Sequence, residues 1–393
     1  DIKITPNLTT VKLQTIDGSA LDGSTQNDET LHVAGDGAAG KLHATGGGGK
    51  DSLYGGGAND TLIGNGGIDS INGNGGLDEL HGGDGNDIFL IDLKSEHVTA
   101  LGYDTIDGGA GTDQVKFNVA MNMTAAQLAT ISNTETWTIT PGSDFTISDT
   151  VLTNNPGVKF QIAGNGTLSG GEDTAGAALM TEAINFTSTA AGDLKLIGSS
   201  GDDTFTFNNT ASLTADDTID GNAGSDTIKL VNNTVLTTTD GEATAATFDA
   251  DVKGIEKILI VDAADGDYGG DVTINITDGY TDTSLTIDAS TLDVDPTNSA
   301  VGEVLTVNNN DTNVKLTVLG GAGRDDFNGN GGAESVQGNG AEDNLSGGGG
   351  NDTLEGGAGN DVLEGGAGTD SIVGGAGNDT INVTTFGDFK TAG

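Results

Sequence analysis

Residues 320–382 consist of seven nonapeptides in unbroken register: GGAGRDDFN, GNGGAESVQ, GNGAEDNLS, GGGGNDTLE, GGAGNDVLE, GGAGTDSIV and GGAGNDTIN. Glycine occupies the first position of every copy, a carboxylate occupies the sixth, and an apolar residue occupies the eighth. A flexible glycine-rich linker would lack this phased apolar residue. The fixed period instead predicts a stack of short repeated structural units.

Each nonapeptide leaves room for one short strand and one tight turn. Glycine makes the turn possible, because it adopts positive φ without steric cost and lets neighbouring loops approach closely. Two nonapeptides then complete one circuit, so equivalent loops on one side recur every eighteen residues. This geometry places Asp343 above Asp361, Asp352 above Asp370, and Asp361 above Asp379, with the eighth-position side chains stacked inside.

The stacked carboxylates repel one another. Circuits lie about 4.8 Å apart, and two carboxylates at that distance repel by roughly 3.5 kcal/mol at an effective dielectric of about 20. A hard dication that takes about six to eight oxygens at about 2.3–2.6 Å would turn this repulsion into a cross-link. Calcium fits better than magnesium, because glycine-rich loops offer carbonyl oxygens in an irregular arrangement.

A second cluster of five nonapeptides occupies residues 46–90: GGGGKDSLY, GGGANDTLI, GNGGIDSIN, GNGGLDELH and GGDGNDIFL. Shorter matches occur at 99–116, 198–206 and 217–229. The sixth-position acids of all these stretches are the candidate calcium ligands. They are Asp51, Asp60, Asp69, Asp78, Asp87, Asp104, Asp113, Asp203, Asp217, Asp226, Asp325, Asp343, Asp352, Asp361, Asp370 and Asp379.

Short alternating apolar patterns typical of strands fill the stretches between these clusters. Residues 108–140 resemble residues 221–261, so the chain repeats a unit made of a calcium-loop block and a strand module. Within the first module, Met121–Ile131 is predicted to form a short helix with Thr124 as its N-cap. The chain begins partway through one unit, and we therefore expect it to be part of a longer repetitive polypeptide.

Composition excludes several classes of function. The 393 residues carry 14 basic and 59 acidic side chains, a net charge of −45, so nucleic acid is not expected as a partner. The chain has no cysteine, and we expect metal rather than disulfides to hold it together. The longest strongly apolar run, Ile258–Val261, is too short to cross a bilayer. No zinc-protease, nucleophile-elbow or Walker motif occurs, which predicts that the chain is not an enzyme.

The nonapeptides resemble those of the RTX family of secreted bacterial proteins, whose repeat reads G-G-x-G-x-D-x-U-x. The resemblance implies a right-handed parallel β-roll that folds outside the cell when calcium is plentiful. It also implies that loop carbonyl oxygens complete each site. Carried onto this chain, these carbonyls belong to Gly347, Gly349, Gly356, Ala358, Gly365, Ala367, Gly374 and Ala376.

The chain departs from the family pattern at three places. Glu334 stands where the repeat has aspartate, and the doublets Asp202/Asp203 and Asp325/Asp326 have no repeat partner nine residues earlier. These departures predict weak or empty calcium sites there.

The predicted fold is therefore all-β and elongated, with calcium-stacked parallel β-roll blocks alternating with β-solenoid or β-strand modules. The predicted domains are a partial strand module at 1–45, a roll at 46–117, a strand module with a short helix at 118–197, a short calcium-loop segment at 198–230, a second strand module at 231–319 that repeats 118–197, and a C-terminal roll with a closing tail at 320–393.

The alternation of rolls with strand modules looks most like the surface-layer and surface-filament branch of the family. The first hypothesis is a calcium-dependent structural protein of the bacterial cell surface that folds and self-assembles on binding many Ca2+ ions. Its expected partners are calcium and copies of itself, and cell-surface polysaccharide is a further candidate. The alternatives are a repeat segment of a large RTX adhesin, or the non-catalytic export or folding part of an RTX exoenzyme or toxin.

Overall fold

A computed structural model describes residues 2–4, 14–20, 31–34, 40–92, 103–162, 166–170, 183–188, 194–207, 213, 217–232, 244–249, 251–262, 271–277, 280, 282–292 and 304–383. Within these residues the chain forms 36 strands and two short helices, which confirms the predicted all-β class. The chain divides into two units, residues 1–185 and 186–393.

The elements described in the first unit are β1 (Ile2–Ile4), β2 (Gln14–Asp17), β3 (Leu31–Ala34), β4 (Leu42–Thr45), β5 (Ser52–Tyr54), β6 (Thr61–Gly66), β7 (Ser70–Asn72), β8 (Glu79–Asp84), β9 (Ile88–Ile91), β10 (Thr105–Ala110), β11 (Gln114–Phe117), β12 (Asn122–Met123), α1 (Ala125–Leu128), β13 (Ile131–Ser132), β14 (Thr136–Ile139), β15 (Ser143–Ile147), α2 (Asp149–Asn154), β16 (Lys159–Ile162) and β17 (Gly166–Gly170). The strands pair in parallel as three ladders: β1-β3-β5-β7-β9-β11-β14-β16, β2-β4-β6-β8-β10-β13 and β12-β15-β17.

The second unit is built in the same way. Its strands are β18 (Asn185–Ser188, of which the last three residues lie in this unit), β19 (Leu194–Ile197), β20 (Thr204–Phe207), β21 (Thr218–Asp220), β22 (Thr227–Asn232), β23 (Thr244–Phe248), β24 (Val252–Lys253), β25 (Lys257–Asp262), β26 (Val272–Ile276), β27 (Ser284–Asp288), β28 (Leu305–Asn309), β29 (Lys315–Leu319), β30 (Asp325–Asn328), β31 (Ser335–Gly340), β32 (Asn344–Gly350), β33 (Thr353–Ala358), β34 (Val362–Gly368), β35 (Ser371–Ala376) and β36 (Thr380–Asn382). They form the parallel ladders β20-β22-β25-β27-β29-β31-β33-β35, β19-β21-β24 and β23-β26-β28-β30-β32-β34-β36.

Circuit length distinguishes the rolls from the strand modules. In the nonapeptide blocks, paired residues are eighteen apart, as for Leu345 and Leu363, which confirms the predicted register. In the modules the same ladders continue with longer circuits: Val115 pairs with Trp137, and Thr273 pairs with Thr306. A strand module therefore consists, within each unit, of longer circuits on ladders that it shares with a roll.

Inward-facing apolar side chains form the core between the ladders. In the first unit one row runs along a single ladder, and all of its members are fully buried: Leu53, Ile71, Phe89, Val115, Trp137 and Phe160. In the longer circuits aromatic side chains, Trp137 and Phe160, occupy this row. Trp137 packs edge-on against Phe160 at a centroid distance of 5.4 Å and is fully buried in the core.

The predicted helix at Met121–Ile131 is too long. Helix α1 covers only Ala125–Leu128, with Thr124 as N-cap in a capping box with Gln127. Met123 and Ile131 pair instead with strands of neighbouring circuits, because the ladders bury their side chains and satisfy their backbone groups. Helix α2 was not predicted. Neither helix in the described part of the chain is long or apolar enough to span a membrane.

Strand pairing extends beyond the one short strand predicted for each repeat and into the glycine-rich turns, which we call corners. Strand β33 continues through Gly356 to Ala358, because corresponding corner residues stack in register. Gly359 has no room for a side chain, because a Cβ there, where φ is +158°, would lie 1.6 Å from the carbonyl oxygen of Ala341. The predicted closing tail beyond Val383 lies outside the described residues.

Replacing Leu354 by alanine should destabilise the C-terminal roll by about 2–5 kcal/mol, because the side chain is fully buried between Val336 and Ile372. Val362→Ala in the same roll is the matched control, since Val362 is 38% exposed and should cost less than about 0.5 kcal/mol. Chemical denaturation in saturating calcium measures both changes. Equal losses of stability would show that the eighth-position row is not the core.

Candidate metal centre

The sixth residue of each repeat lies where a corner ends and a strand begins. In the glycine-rich nonapeptides, the carboxylate of a sixth-position aspartate points towards the first glycine of its own repeat, as Asp51 does towards Gly46. Most of these acids are buried: Asp51, Asp60, Asp69, Asp78, Asp87, Asp113, Asp203, Asp217, Asp226, Asp325, Glu334, Asp343, Asp352, Asp361 and Asp370. Asp104 and Asp379 are partly exposed. Burial of a carboxylate is costly unless hydrogen bonds and an opposite charge compensate it.

Backbone amides supply the hydrogen bonds and link the acids into columns. The N–H of Asp343 donates to Oδ1 of Asp361 at 2.9 Å, and the N–H of Asp361 donates to Oδ1 of Asp379 at 3.2 Å. On the other side, the N–H of Asp352 donates to Oδ1 of Asp370 at 2.9 Å. The predicted stacking of these five acids is confirmed, and each acid fixes the backbone one circuit earlier.

The same pattern joins the acids of the first roll and of the short central block. One column contains Asp51, Asp69, Asp87 and Asp113, a second contains Asp60, Asp78 and Asp104, and Asp203 is joined to Asp226. Asp217 accepts the N–H of Leu194 in the same way.

In the first acid of several columns, the second carboxylate oxygen accepts a hydrogen bond from a residue of the same repeat. Oδ2 of Asp51 accepts the N–H of Gly47 at 2.7 Å, and Oδ2 of Asp325 accepts the N–H of Gly321 at 2.9 Å. Oδ2 of Asp203 likewise accepts the N–H of Ser199. Of the two doublets, Asp203 and Asp325 therefore enter the columns, whereas Asp202 and Asp326 make other contacts. Calcium occupancy at these places stays a prediction.

Further along the columns the second oxygen is buried, and no described residue donates a hydrogen bond to it. The atoms are Oδ2 of Asp69, Asp78, Asp87, Asp113, Asp226, Asp343, Asp352, Asp361 and Asp370, and Oε2 of Glu334. A buried acceptor left without a donor costs about 1–3 kcal/mol, and more when it is charged. So regular a set of free carboxylate oxygens indicates a cation site.

Each of these aspartate oxygens borders a small space in front of a corner glycine. A Cβ placed on Gly64 would lie 2.1 Å from Oδ2 of Asp69 and 2.6 Å from the carbonyl oxygen of Gly82, one circuit on. A carbon atom does not fit between two oxygens at such distances, whereas calcium binds oxygen at about 2.3–2.6 Å. The first glycine of the repeat therefore keeps open a space that fits a cation.

The predicted carbonyl ligands divide into two groups. Carbonyl oxygens of the first-position glycines line these spaces: Gly347, Gly356, Gly365 and Gly374 lie 2.1, 2.6, 2.8 and 2.6 Å from a Cβ built on the corner glycine one circuit earlier. The third-position residues stack in register, Gly349 with Ala367 and Ala358 with Ala376. The oxygen of Ala376 accepts the N–H of Gly359, which leaves it one further lone pair. Their role as ligands stays a prediction.

The donor set combines side chains with main chain. No three histidine, aspartate or glutamate side chains converge on one point within the described residues, so a cation here needs carbonyl oxygens as well as carboxylates. Hard oxygen donors of mixed type in an irregular arrangement are the ligands that calcium prefers. A bound Ca2+ would supply the positive charge that the columns need, and the carboxylates and corner carbonyls would hold it.

Burial raises the pKa of several column acids well above their ordinary values. The pKa is about 8 for Asp69, Asp78, Asp343 and Glu334, about 7 for Asp226 and Asp325, and about 6 for Asp113. Loss of hydration is the main cause; backbone N–H groups counteract part of it, and neighbouring acids add to it. For Asp69 these neighbours are Asp51 and Asp87, on either side in its column. Without a cation the folded chain therefore favours protonated carboxyl groups.

Two further acids in the columns were not predicted. The N–H of Asp113 donates to Oε2 of Glu135, and the N–H of Asp226 donates to Oε2 of Glu256. Neither glutamate lies in a glycine-rich nonapeptide. The similarity of residues 108–140 to residues 221–261 contained the signal, because it aligns Glu135 with Glu256.

Comparison with known proteins agrees with this geometry. The family model described as RTX calcium-binding nonapeptide repeat matches residues 43–70, 54–89, 100–116, 213–229, 319–354 and 346–381. The matched stretches contain all the predicted acidic ligands except Asp203. No match was found among curated proteins or among solved structures.

Acid should partly replace calcium in folding the chain. A carboxyl whose pKa rises from 3.8 to about 8 on folding, such as Asp343, holds its proton better in the folded state. Its contribution to stability is complete below pH 3.8 and is lost as the pH rises through about 8. In chelator, strand content measured by circular dichroism should rise as the pH falls from about 8 to about 5. With saturating calcium it should change little over that range, and a chelated chain with equal strand content at both pH values would contradict the burial of these acids.

Asp361→Asn should remove about two calcium ions from the C-terminal roll, because Asp361 lies between Asp343 and Asp379 and serves the circuits on both sides. The amide oxygen still accepts the N–H of Asp343, but the negative charge is lost. Asp326→Asn is the matched control, since Asp326 lies at the surface beside Arg324. Equilibrium dialysis followed by metal analysis counts the bound ions, and a count equal to that of the unaltered chain would exclude Asp361 as a ligand.

Proposed function

Because this chain belongs to the RTX calcium-binding repeat proteins, we propose that it is a structural protein of the bacterial cell surface, which folds and assembles into a layer or filament on binding many Ca2+ ions. RTX repeat proteins are typically secreted, and extracellular calcium would then be available to the folding chain. The proposal includes the absence of a catalytic role for this chain.

The observation that carries a structural role is the distribution of the acids. In both units they are spread along the ladders as column members, each bound to the backbone of a neighbouring circuit, as Asp69 and Asp343 are. A catalytic site needs acids that converge on one substrate. Their pKa values must also differ, so that one can donate a proton while another accepts one. The repeated arrangement favours metal ions as part of the framework itself.

The end of the second unit's ladders supports contacts between copies. Val373, Ile381 and Val383, near the last described strands β35 and β36, are 53%, 46% and 43% exposed. Exposed apolar side chains in this region favour association. The net charge of −45 opposes the approach of two copies, so calcium would promote assembly as well as folding.

Electron microscopy of the purified chain tests this proposal. With millimolar calcium we expect ordered arrays or filaments, and with chelator we expect none. Val373→Glu should prevent assembly without abolishing calcium-dependent folding, because the added charge lies at the end of the ladder. Ile68→Glu is the matched control, since Ile68 is an exposed apolar residue (44%) in the first roll.

Particles that bind calcium and gain strand structure, yet stay monomeric, would refute assembly and favour an adhesin segment or the export part of an exoenzyme. Glycan binding by such monomers would support the adhesin. Arrays that form equally well with Val373→Glu would exclude the ladder end as the contact.

A further inference from the structure

We propose two further calcium sites, each formed between the last nonapeptide of a block and the first long circuit that follows it. One site contains Asp113 and Glu135, and the other contains Asp226 and Glu256. We refer to them as the junction sites. They rest on calcium binding by the repeats and do not depend on whether the chain assembles.

The register places the two glutamates in the position of a repeat aspartate. Gln114 pairs with Thr136 and Thr227 pairs with Lys257, so the preceding residues, Asp113 and Asp226, face Glu135 and Glu256. Their N–H groups donate to Oε2 of Glu135 at 2.6 Å and to Oε2 of Glu256 at 2.7 Å. Asp87 donates in the same way to Asp113 at 2.7 Å. The acid columns therefore continue one circuit beyond the last glycine-rich repeat.

A buried oxygen without a donor lies at each junction. Asp113 and Asp226 are both 0% exposed, and none of the described residues donates a hydrogen bond to their Oδ2 atoms. Inside a roll, the equivalent oxygen of Asp69 borders a space completed by the corner carbonyl of the next circuit. At a junction the next circuit has no nonapeptide to supply that carbonyl.

In the long circuits, residues outside the nonapeptides supply the corner carbonyl oxygen. A Cβ built on Gly108 would lie 2.7 Å from Oδ2 of Asp113 and 1.9 Å from the carbonyl oxygen of Asn133. One built on Gly221 would lie 2.5 Å from Oδ2 of Asp226 and 2.0 Å from the carbonyl oxygen of Gly254. Both pairs repeat the carboxylate–carbonyl arrangement of the interior spaces.

At both junctions the residue that supplies the carbonyl oxygen has a left-handed backbone conformation. Asn133 and Gly254 have φ values of +51° and +64°, in the left-handed region that glycine and asparagine tolerate best. Each lies two residues before its column glutamate. Both junctions thus combine a left-handed corner, an inward carbonyl and an acid, although their circuits differ in length and sequence.

Glutamate at a column position has a precedent inside the C-terminal roll. Glu334 stands at the sixth position of a matched repeat, its N–H donates to Oδ1 of Asp352 at 2.9 Å, and its Oε2 is buried without a donor. The Glu334 side chain accepts from Nδ2 of Asn309 at 3.4 Å, whereas Glu135 and Glu256 accept a backbone N–H as the repeat aspartates do. The junction glutamates and their corners lie outside the stretches that match the repeat model, so sequence similarity does not assign these sites.

The first experiment counts calcium ions on the full chain by equilibrium dialysis and metal analysis. At a free calcium concentration that just saturates the unaltered chain, Glu135→Gln and Glu256→Gln should each bind one ion fewer, and the double variant two fewer. Glutamine keeps an oxygen that accepts the backbone N–H and removes only the charge. Glu79→Gln is the control, because Glu79 is exposed and pairs with His81 at the surface of the first roll.

The second experiment locates one junction site. Trp137 is the only tryptophan of the chain and lies two residues after Glu135, whereas Ile258 occupies the equivalent place after Glu256. Terbium bound in place of calcium should luminesce when Trp137 is excited. Glu135→Gln should lower this signal, and the matched Glu256→Gln should leave it unchanged.

Full calcium counts in both glutamine variants, with Asp361→Asn still losing ions, would overturn the junction sites without affecting calcium binding by the repeats. Equal loss of tryptophan-sensitised terbium luminescence in Glu135→Gln and Glu256→Gln would also overturn them, because it would indicate a general change in the fold. Circular dichroism in calcium identifies such a change directly.

Discussion

The structure depends on carboxylates that are stacked one circuit apart and removed from water. Each accepts a backbone N–H through one oxygen, as Asp361 does from Asp343, and this bond sets the register of two circuits. In most of them the second oxygen is buried without a hydrogen-bond donor, so the column is stable only when a proton or a cation neutralises the carboxylate. Protons do so below the raised pKa values, and a divalent cation does so at neutral pH while also linking circuits through the corner carbonyls.

This requirement explains why the rolls need so little hydrophobic core. A nonapeptide strand buries one large apolar side chain, such as Leu354, which contributes about 1.5–3 kcal/mol. The longer circuits bury larger clusters, with Phe117 packed between Trp137 and Phe145. Rolls therefore rely mainly on ions and long circuits mainly on apolar burial, and the shared parallel ladders make the two kinds of circuit compatible.

Strict periodicity determined what the sequence could predict. The eighteen-residue register and the stacking of Asp352 on Asp370 followed from spacing alone, because glycine, acid and leucine recur without a slip. The registers of the long circuits did not, since no period links Val115 to Trp137. Met123 and Ile131 were assigned to a helix from local spacing, whereas pairing with distant strands decided their conformation. Glu135 lies outside every glycine-rich nonapeptide, so only the ladder register gives it a column position.

Variable circuit length follows from what a parallel ladder requires. Only the strand, the acid and the corner carbonyl must keep register, so residues between them can be added without breaking the column. Asp87 and Asp113 are twenty-six residues apart and keep the same 2.7 Å hydrogen bond that joins Asp60 to Asp78 across eighteen. Because each circuit contacts mainly its neighbours, stability is set locally along such a chain. Calcium therefore stabilises the nonapeptide circuits most strongly. A junction acid such as Glu135 lies at the boundary between circuits stabilised by ions and circuits stabilised by a packed apolar core.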